Sequence, residues 1–153
     1  MIRWLILPAL ALFANAPAST PEWSQINRDT EREQVIYVDK TSIALLPGNH
    51  ARGTWVVVLL NDMQGMAAIK STVELDCPAH KRRWVAAWGY DDAGKLVWTY
   101  EGERVWKDIL PGSFYAVSEE LICSGGTADI GRRIPGGDVP IALGRKYLRD
   151  AED

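Results

Sequence analysis

Four side chains in the sequence could ligate a metal or form a covalent bond: Cys77, Cys123, His50 and His80. Zinc binds well to two cysteines and two histidines, and Cys77 and His80 stand in a Cys-x-x-His arrangement. The same two cysteines could instead form a disulfide, which is the usual state of a cysteine pair in an oxidising compartment. Whether the cysteines bind zinc or form a disulfide therefore depends on the compartment in which the chain resides.

The N-terminal residues indicate export. Arg3 precedes an apolar run over residues 4–13, and small residues follow at 14–18. This order is typical of a cleaved secretory signal peptide, and a run of roughly ten apolar residues is too short to span a bilayer. We predict a signal peptide over residues 1–18 with cleavage after Ala18, because cleavage after Ala16 would leave Pro17 next to the cut. No cysteine follows the run, so no lipid attachment is expected there.

Export favours a disulfide between Cys77 and Cys123 over the zinc site. The bridge would close a loop of about 45 residues and contribute on the order of 4 kcal/mol in the chain-entropy estimate. No cofactor or metal is expected, because the sequence has no P-loop, Gly-x-Ser-x-Gly or His-Glu-x-x-His motif. A small hydrolase that uses His50 or His80 is an alternative, although neither histidine has an evident nucleophile beside it.

Composition limits the class of partner. The 153 residues carry 17 Lys and Arg against 20 Asp and Glu, a net charge of −3, and 47% of them are hydrophobic. This length and composition fit one folded domain, and an acidic chain is a poor candidate for nucleic-acid binding. After signal cleavage we expect no transmembrane segment.

Alternating and β-branched residues predict an antiparallel sheet. Its six strands cover residues 23–26, 35–38, 54–60, 67–76, 83–90 and 96–100. Short connections between them favour antiparallel pairing. Alternation places Trp84 and Trp88 on one face, with Trp98 on the next strand. These rings would either line a binding surface or fill the core.

One helix is predicted over residues 114–123, with Ser113 as its N-cap and apolar residues spaced by three and four. Six strands followed by a helix give an α+β domain over residues 19–124. Residues 125–153 are rich in glycine and are predicted to be a flexible tail. A turn or two of helix near Ile141 is weakened by Gly144.

A basic cluster, Lys81-Arg82-Arg83, begins the fifth strand. It could bind a polyanion such as a sulfated glycan, or an acidic segment of a protein partner. It could also be a charged strand end that prevents aggregation. With Trp88 and Trp98, these three residues are the candidate partner contacts.

The ordered pattern resembles a known family, the surface-adhesin protein E-like domains of Gram-negative bacteria. The matching features are Trp23, Tyr37-x-Asp39-x-x-Ser42-Ile43, Trp55, Asp76-Cys77, Tyr90, Trp106-x-x-Ile109-x-Pro111-x-Ser113 and Cys123. The resemblance implies a bent antiparallel sheet of about six strands, with a C-terminal helix tied to it by the Cys77–Cys123 disulfide.

The resemblance also implies a function: an exported, non-catalytic domain that binds extracellular-matrix or serum proteins of a host. Members typified by the adhesin are anchored by a lipid, for which this chain lacks the cysteine. The alternative is therefore a structural or envelope-maintenance module of the periplasm without host contact. Export to the periplasm, the cell surface or the medium is expected in either case.

Overall fold

One antiparallel sheet dominates the computed structural model, which describes residues 19–29, 31, 33–134 and 136–150. Its strands are Trp23–Asp29 (β1), Gln34–Leu46 (β2), His50–Met63 (β3), Met66–Asp76 (β4), Lys81–Tyr90 (β5), Leu96–Tyr100 (β6), Lys107–Asp108 (β7) and Arg132–Arg133 (β8). The six predicted strands are present as β1 to β6. The sequence did not reveal β7 and β8, because two residues are too few to show alternation. The predicted signal peptide lies outside the described residues.

Strands that follow each other along the chain also pair in the sheet. The order is β6-β5-β4-β3-β2-β1-β8, and β7 lies beside the first residues of β5. The β3–β4 hairpin is closed by Gln64 and Gly65, which have φ angles of 52° and 78°. Positive φ at both central residues is the mark of a type I′ turn, whose twist matches that of the strands.

The sheet has two covered faces, here called face A and face B. Val38, Trp55 and Val73 point to face A, where helix α1 (Phe114–Cys123) buries Leu121 and Ile122 against them. This confirms the predicted helix. Ser113 stands at its N-cap, although its hydroxyl donates to the carbonyl of Leu110 rather than to the helix backbone.

Face B is covered by a second helix, α2 (Ile141–Arg149), which packs against β2 and β3. Ile141 and Leu148 are buried there in one cluster with Tyr37, Val56 and Val58. This helix lies within the segment expected to be a flexible tail, and the sequence did not predict its contacts with the sheet.

The close approach of α2 to the sheet depends on Gly144. A β-carbon at this position would lie 2.8 Å from the side chain of Val58. Gly144 weakens the helix pattern, but it lets the helix backbone approach the strand. Arg145 adds a polar attachment: its guanidinium donates to the carbonyl of Leu59 (3.0 Å) and binds the carboxylates of Asp62 and Asp92.

A disulfide between Cys77 and Cys123 joins the segment after β4 to the last residue of α1, with the two Cα atoms 6.0 Å apart. The predicted disulfide is confirmed. The alternative zinc site is wrong, because the two sulfur atoms are bonded to each other. Among the described residues, no helix is long and apolar enough to cross a bilayer.

Candidate functional site

A bulge in β5 separates the aromatic residues that were predicted to share one face. Trp84 pairs with Val73 and Ala86 pairs with Thr72, so Val85 is an extra residue without a partner on β4. The extra residue reverses the alternation, because side chains change faces at every residue. The prediction that Trp84 and Trp88 share a face is therefore wrong.

Trp88 and Trp98 lie on opposite faces of the sheet. Trp88 pairs with Lys70, whose ammonium lies 6.0 Å from the centroid of the indole ring on face B. Trp98 pairs with Gly89 on face A. The aromatic residues of β5 and β6 therefore contribute to two different surfaces.

The basic cluster is divided in the same way. Lys81 and Arg83 point to face B, whereas Arg82 points to face A. Each one has an acidic partner: Lys81 Nζ lies 3.7 Å from Asp108, and Arg82 Nη1 lies 3.5 Å from Glu103. Arg83 Nε donates to Glu74 at 2.7 Å. The three cations do not form one basic surface.

Glu74 is the centre of a row of charges across β3, β4 and β5. Its carboxylate accepts hydrogen bonds from Arg52 and Arg83, and its side chain is only 8% exposed. Burial alone would raise the pKa of Glu74, but the two guanidinium groups outweigh it and hold the pKa below its ordinary value. The row stabilises the ionised form of Glu74.

An aromatic groove lies on face A at the β5–β6 end of the sheet. Trp98 and Tyr100 stack with their ring centroids 5.9 Å apart and an interplanar angle of 2°, and Trp84 meets Tyr100 edge-on at 6.1 Å. Both stacked residues are 38% exposed. The cavity holds about 240 Å³ and is lined by Arg82, Trp84, Trp98, Tyr100, Glu103 and Lys107. Helix α1 packs over β1, β2 and β3, so the groove lies beside the helix.

Charged residues at the side of the groove form a fixed network. The carboxylate of Glu103 binds Arg82 and also Lys107, whose Nζ lies 2.5 Å away. Two cations on one carboxylate leave a formal charge of +1 beside the aromatic rings. The groove can therefore accept an apolar or aromatic side chain together with an anionic group.

Tyr115 of α1 holds Arg82 in place. The Arg82 guanidinium carbon lies 3.9 Å from the centroid of the Tyr115 ring, within the range of a cation–π interaction. Burial raises the pKa of the Tyr115 hydroxyl, and the charge of Arg82 opposes this only in part. The ring therefore stays neutral at physiological pH, and its electron-rich face remains available to the cation.

The sequence identified only part of this groove. Trp98 and Arg82 were candidate contacts, and Tyr100 could have been added because it alternates with Trp98 along the same strand. Glu103 and Lys107 follow in a segment without periodicity, and no signal in the sequence places them beside Arg82.

The histidines do not meet in one site. His50 Nε2 lies 3.6 Å from Asp76, and its ring meets Trp106 edge-on, whereas His80 Nδ1 lies 3.1 Å from Glu119. Within the described part of the chain, neither imidazole forms a hydrogen bond with a serine, threonine or cysteine side chain. No group of three His, Cys, Asp or Glu residues in that part could hold a metal ion.

Comparison with known proteins agrees with the fold. Haemophilus influenzae protein E in its crystal form II superposes with a TM-score of 0.53 at 14% identity, over 69% of this chain and 90% of that chain. A further structure of that protein gives a TM-score of 0.49 at 15% identity, over 69% of this chain and 87% of that chain. No curated protein matches the sequence. Residues 23–124 match the family described as surface-adhesin protein E, and the chain therefore belongs to that family.

Proposed function

We propose that this chain is an exported, non-catalytic binding domain that recognises an extracellular-matrix or serum protein of a host through the aromatic groove. Membership of the surface-adhesin protein E family supports the general class. The observation that carries the proposal is the stacked pair of Trp98 and Tyr100, whose rings stay exposed at the end of face A that α1 leaves uncovered.

Exposed, ordered aromatic rings are suited to protein recognition. Tryptophan and tyrosine supply large contact areas while losing little side-chain entropy, and they are enriched among the residues that dominate binding energies. Stacking on each other restricts both rings before a partner arrives. Little further ordering is then needed on binding, which favours affinity.

The charges beside the rings suggest the chemistry of the contacted segment. The Arg82–Glu103–Lys107 network carries one surplus positive charge. A partner segment with an apolar or aromatic side chain followed by a carboxylate or sulfate would match both features. Arg82 is held by Tyr115 and is already oriented, and Lys107 is paired with Glu103 while its side chain is 54% exposed and can meet a partner.

Of the five candidate contacts, Arg82 and Trp98 belong to this groove. Lys81, Arg83 and Trp88 point to the opposite face. We assign the partner contact to the groove, so the other three residues, all on β5, serve as controls.

The test is equilibrium binding of the purified chain to a panel of host matrix and serum proteins. For any protein that binds, Trp98→Ala and Tyr100→Ala are each expected to weaken the affinity by roughly 10- to 100-fold, as for residues that dominate an interface. Trp88→Ala, an aromatic truncation on the opposite face, should leave the affinity within about twofold. Equal losses for Trp88→Ala and Trp98→Ala, or binding to no member of the panel, would contradict the proposal.

A further inference from the structure

A cavity on face B lies between the sheet and the segment that begins helix α2. It holds about 510 Å³ and is lined by Trp23, Lys70 and Tyr90 of the strands and by residues 92–94, 137–139 and 141–142. This volume falls within the range of about 300–1,000 Å³ that is usual for small-molecule sites. Residues 137–142 lie outside the part of the chain that matches the adhesin family, so this wall of the cavity is not part of the matched region.

Hydrogen bonds hold the walls of the cavity in place. The indole N–H of Trp23 donates to the carbonyls of Gly137 and Asp138, both at 3.2 Å, and fixes the segment before α2 against β1. On the opposite side, Arg145 of α2 donates to the carboxylate of Asp92 in the turn between β5 and β6 at 2.6 Å. Little ordering is then required when a ligand enters, which favours binding.

Two polar groups on the sheet side of the cavity suit a carboxylate. Lys70 and Tyr90 both point to face B. The Lys70 ammonium lies 6.0 Å from the centroid of the Trp88 ring and has no carboxylate partner among the described residues. The Tyr90 hydroxyl forms no hydrogen bond in the same part of the chain, and burial raises its pKa, so it keeps its proton and can donate. A cation and a hydroxyl donor together are suited to a carboxylate ligand.

Asp138 supplies an opposite charge on the wall of the cavity. Its backbone carbonyl accepts from Trp23, whereas its carboxylate has no hydrogen bond or ion pair with any residue that the structure describes. Asp92, the other acidic residue of the lining, is already paired with Arg145. One cation, Lys70, and one carboxylate therefore line the same cavity without pairing with each other. A molecule that carries both charges would match both groups.

We propose that this cavity binds a small zwitterion with an apolar side chain, either a free α-amino acid or a short peptide. Lys70 and Tyr90 hold its carboxylate, and Asp138 holds its ammonium group. The apolar side chain of the ligand contacts Val139 and Ile141, which also line the cavity. The site lies on the opposite face from the aromatic groove and does not depend on any contact with a host protein.

Isothermal titration calorimetry of the purified chain with L-leucine, L-phenylalanine and leucyl-leucine tests the proposal. We expect a dissociation constant of about 10 μM to 1 mM for at least one of them. Binding of the amino acids or of the dipeptide identifies which source of zwitterion the cavity accepts. The N-acetyl derivative of that ligand lacks the ammonium group, and its amide lacks the carboxylate. Each should bind about tenfold more weakly or worse, because one charge of the cavity stays unmatched.

Two variants test the assigned contacts. Lys70→Met keeps the apolar stem and removes the charge, and Asp138→Asn keeps the shape of the side chain. Each should weaken binding by about tenfold or more. Lys146→Met and Asp129→Asn make the same changes at exposed positions and should leave the affinity within about twofold. Asp138→Asn should also leave the weaker affinity for the N-acetyl derivative unchanged, because that compound has no ammonium group to lose a partner.

The Asp138→Asn variant is expected to fold, because the carboxylate that it removes makes no contact with the described residues. Absence of binding by all three compounds at up to about 10 mM would overturn the proposal. So would binding that either Lys70→Met or Asp138→Asn leaves within twofold, or equal affinities for the ligand and its two derivatives. Trp98→Ala, which tests the aromatic groove, should leave zwitterion binding unchanged, so the failure of one proposal is distinguishable from the failure of the other.

Discussion

The guanidinium of Arg82 lies 3.9 Å from the ring of Tyr115 and thereby connects strand β5 to helix α1 across face A. Arg82 is the middle residue of the basic cluster. Its side chain is only 15% exposed and is part of the packing between sheet and helix. Its neighbours Lys81 and Arg83 point to the other face. Position within the sheet, and not charge alone, decides what each of the three residues can contact.

Replacing Arg82 should reduce stability as well as binding. Arg82→Ala removes the cation–π contact with Tyr115 and the ion pair with Glu103, and we expect the free energy of unfolding to fall by about 1–2 kcal/mol. Urea unfolding measures this change. Arg104→Ala, the loss of an exposed arginine from the neighbouring segment, should change it by less than about 0.5 kcal/mol. Equal effects of the two variants would contradict the role given to Tyr115.

Glu74 predicts a specific dependence of stability on pH. Its pKa in the folded chain lies below its ordinary value of 4.5, so its ionisation stabilises the fold above that value. This contribution is lost as the pH falls from 4.5 through the lower pKa of the folded state. Glu74→Gln should therefore flatten the decline of the unfolding free energy below pH 4.5.

The same variant should lower stability at pH 7 by about 1–3 kcal/mol, because Arg52 and Arg83 lose an ionised acceptor. Urea titrations at a series of pH values measure both effects. Glu120→Gln, at an exposed position of α1, is the matched control and should keep the original profile. An acid-induced decline that is equally steep in Glu74→Gln would show that Glu74 does not contribute to it.

Gly144→Ala tests the contact of α2 with face B. Alanine is favoured over glycine in a helix by about 1 kcal/mol, but here its β-carbon would lie 2.8 Å from Val58 and 3.1 Å from Val35. We expect the steric cost to exceed the gain, with a net loss of about 1–2 kcal/mol in thermal or urea unfolding. Leu143→Ala, at a position 40% exposed, should be close to neutral. A stabilised Gly144→Ala variant would indicate that α2 is not held against the sheet.

The disulfide should account for a large share of stability. Replacing Cys77 and Cys123 together by alanine frees a chain segment whose ends are 46 residues apart, with an expected loss of about 2–4 kcal/mol. A reductant should lower the melting temperature of the unchanged chain about as much as the double substitution does. The double variant should be insensitive to reductant, and a response in that variant would mean that the reductant acts elsewhere.

The sequence was sufficient to predict the elements whose signal is local. Alternation along residues 67–76 and the spacing of apolar residues after Ser113 predicted β4 and α1, and export predicted the pairing of the two cysteines. These features depend on neighbouring residues or on the compartment alone.

The remaining features depend on contacts between distant residues. The residue types along β5 do not indicate the bulge at Val85. The bulge nevertheless places Trp84 on the face opposite Trp88. Gly144 weakened the prediction of α2. In the structure, the missing side chain of Gly144 lets the helix backbone approach Val58 closely. The acidic partners of the basic cluster likewise come from β4, β7 and the segment after β6, which no local pattern connects with β5.

The location of the chain on the cell tests the central claim most directly. A domain that binds a host protein must reach the outside, whereas an envelope module can remain in the periplasm. Intact cells should be treated with an external protease, and the chain should then be detected in whole cells, in the periplasmic fraction and in the medium. The account predicts that the protease removes the chain from intact cells or that the chain accumulates in the medium. Full protection in intact cells, with release only in the periplasmic fraction, would contradict it.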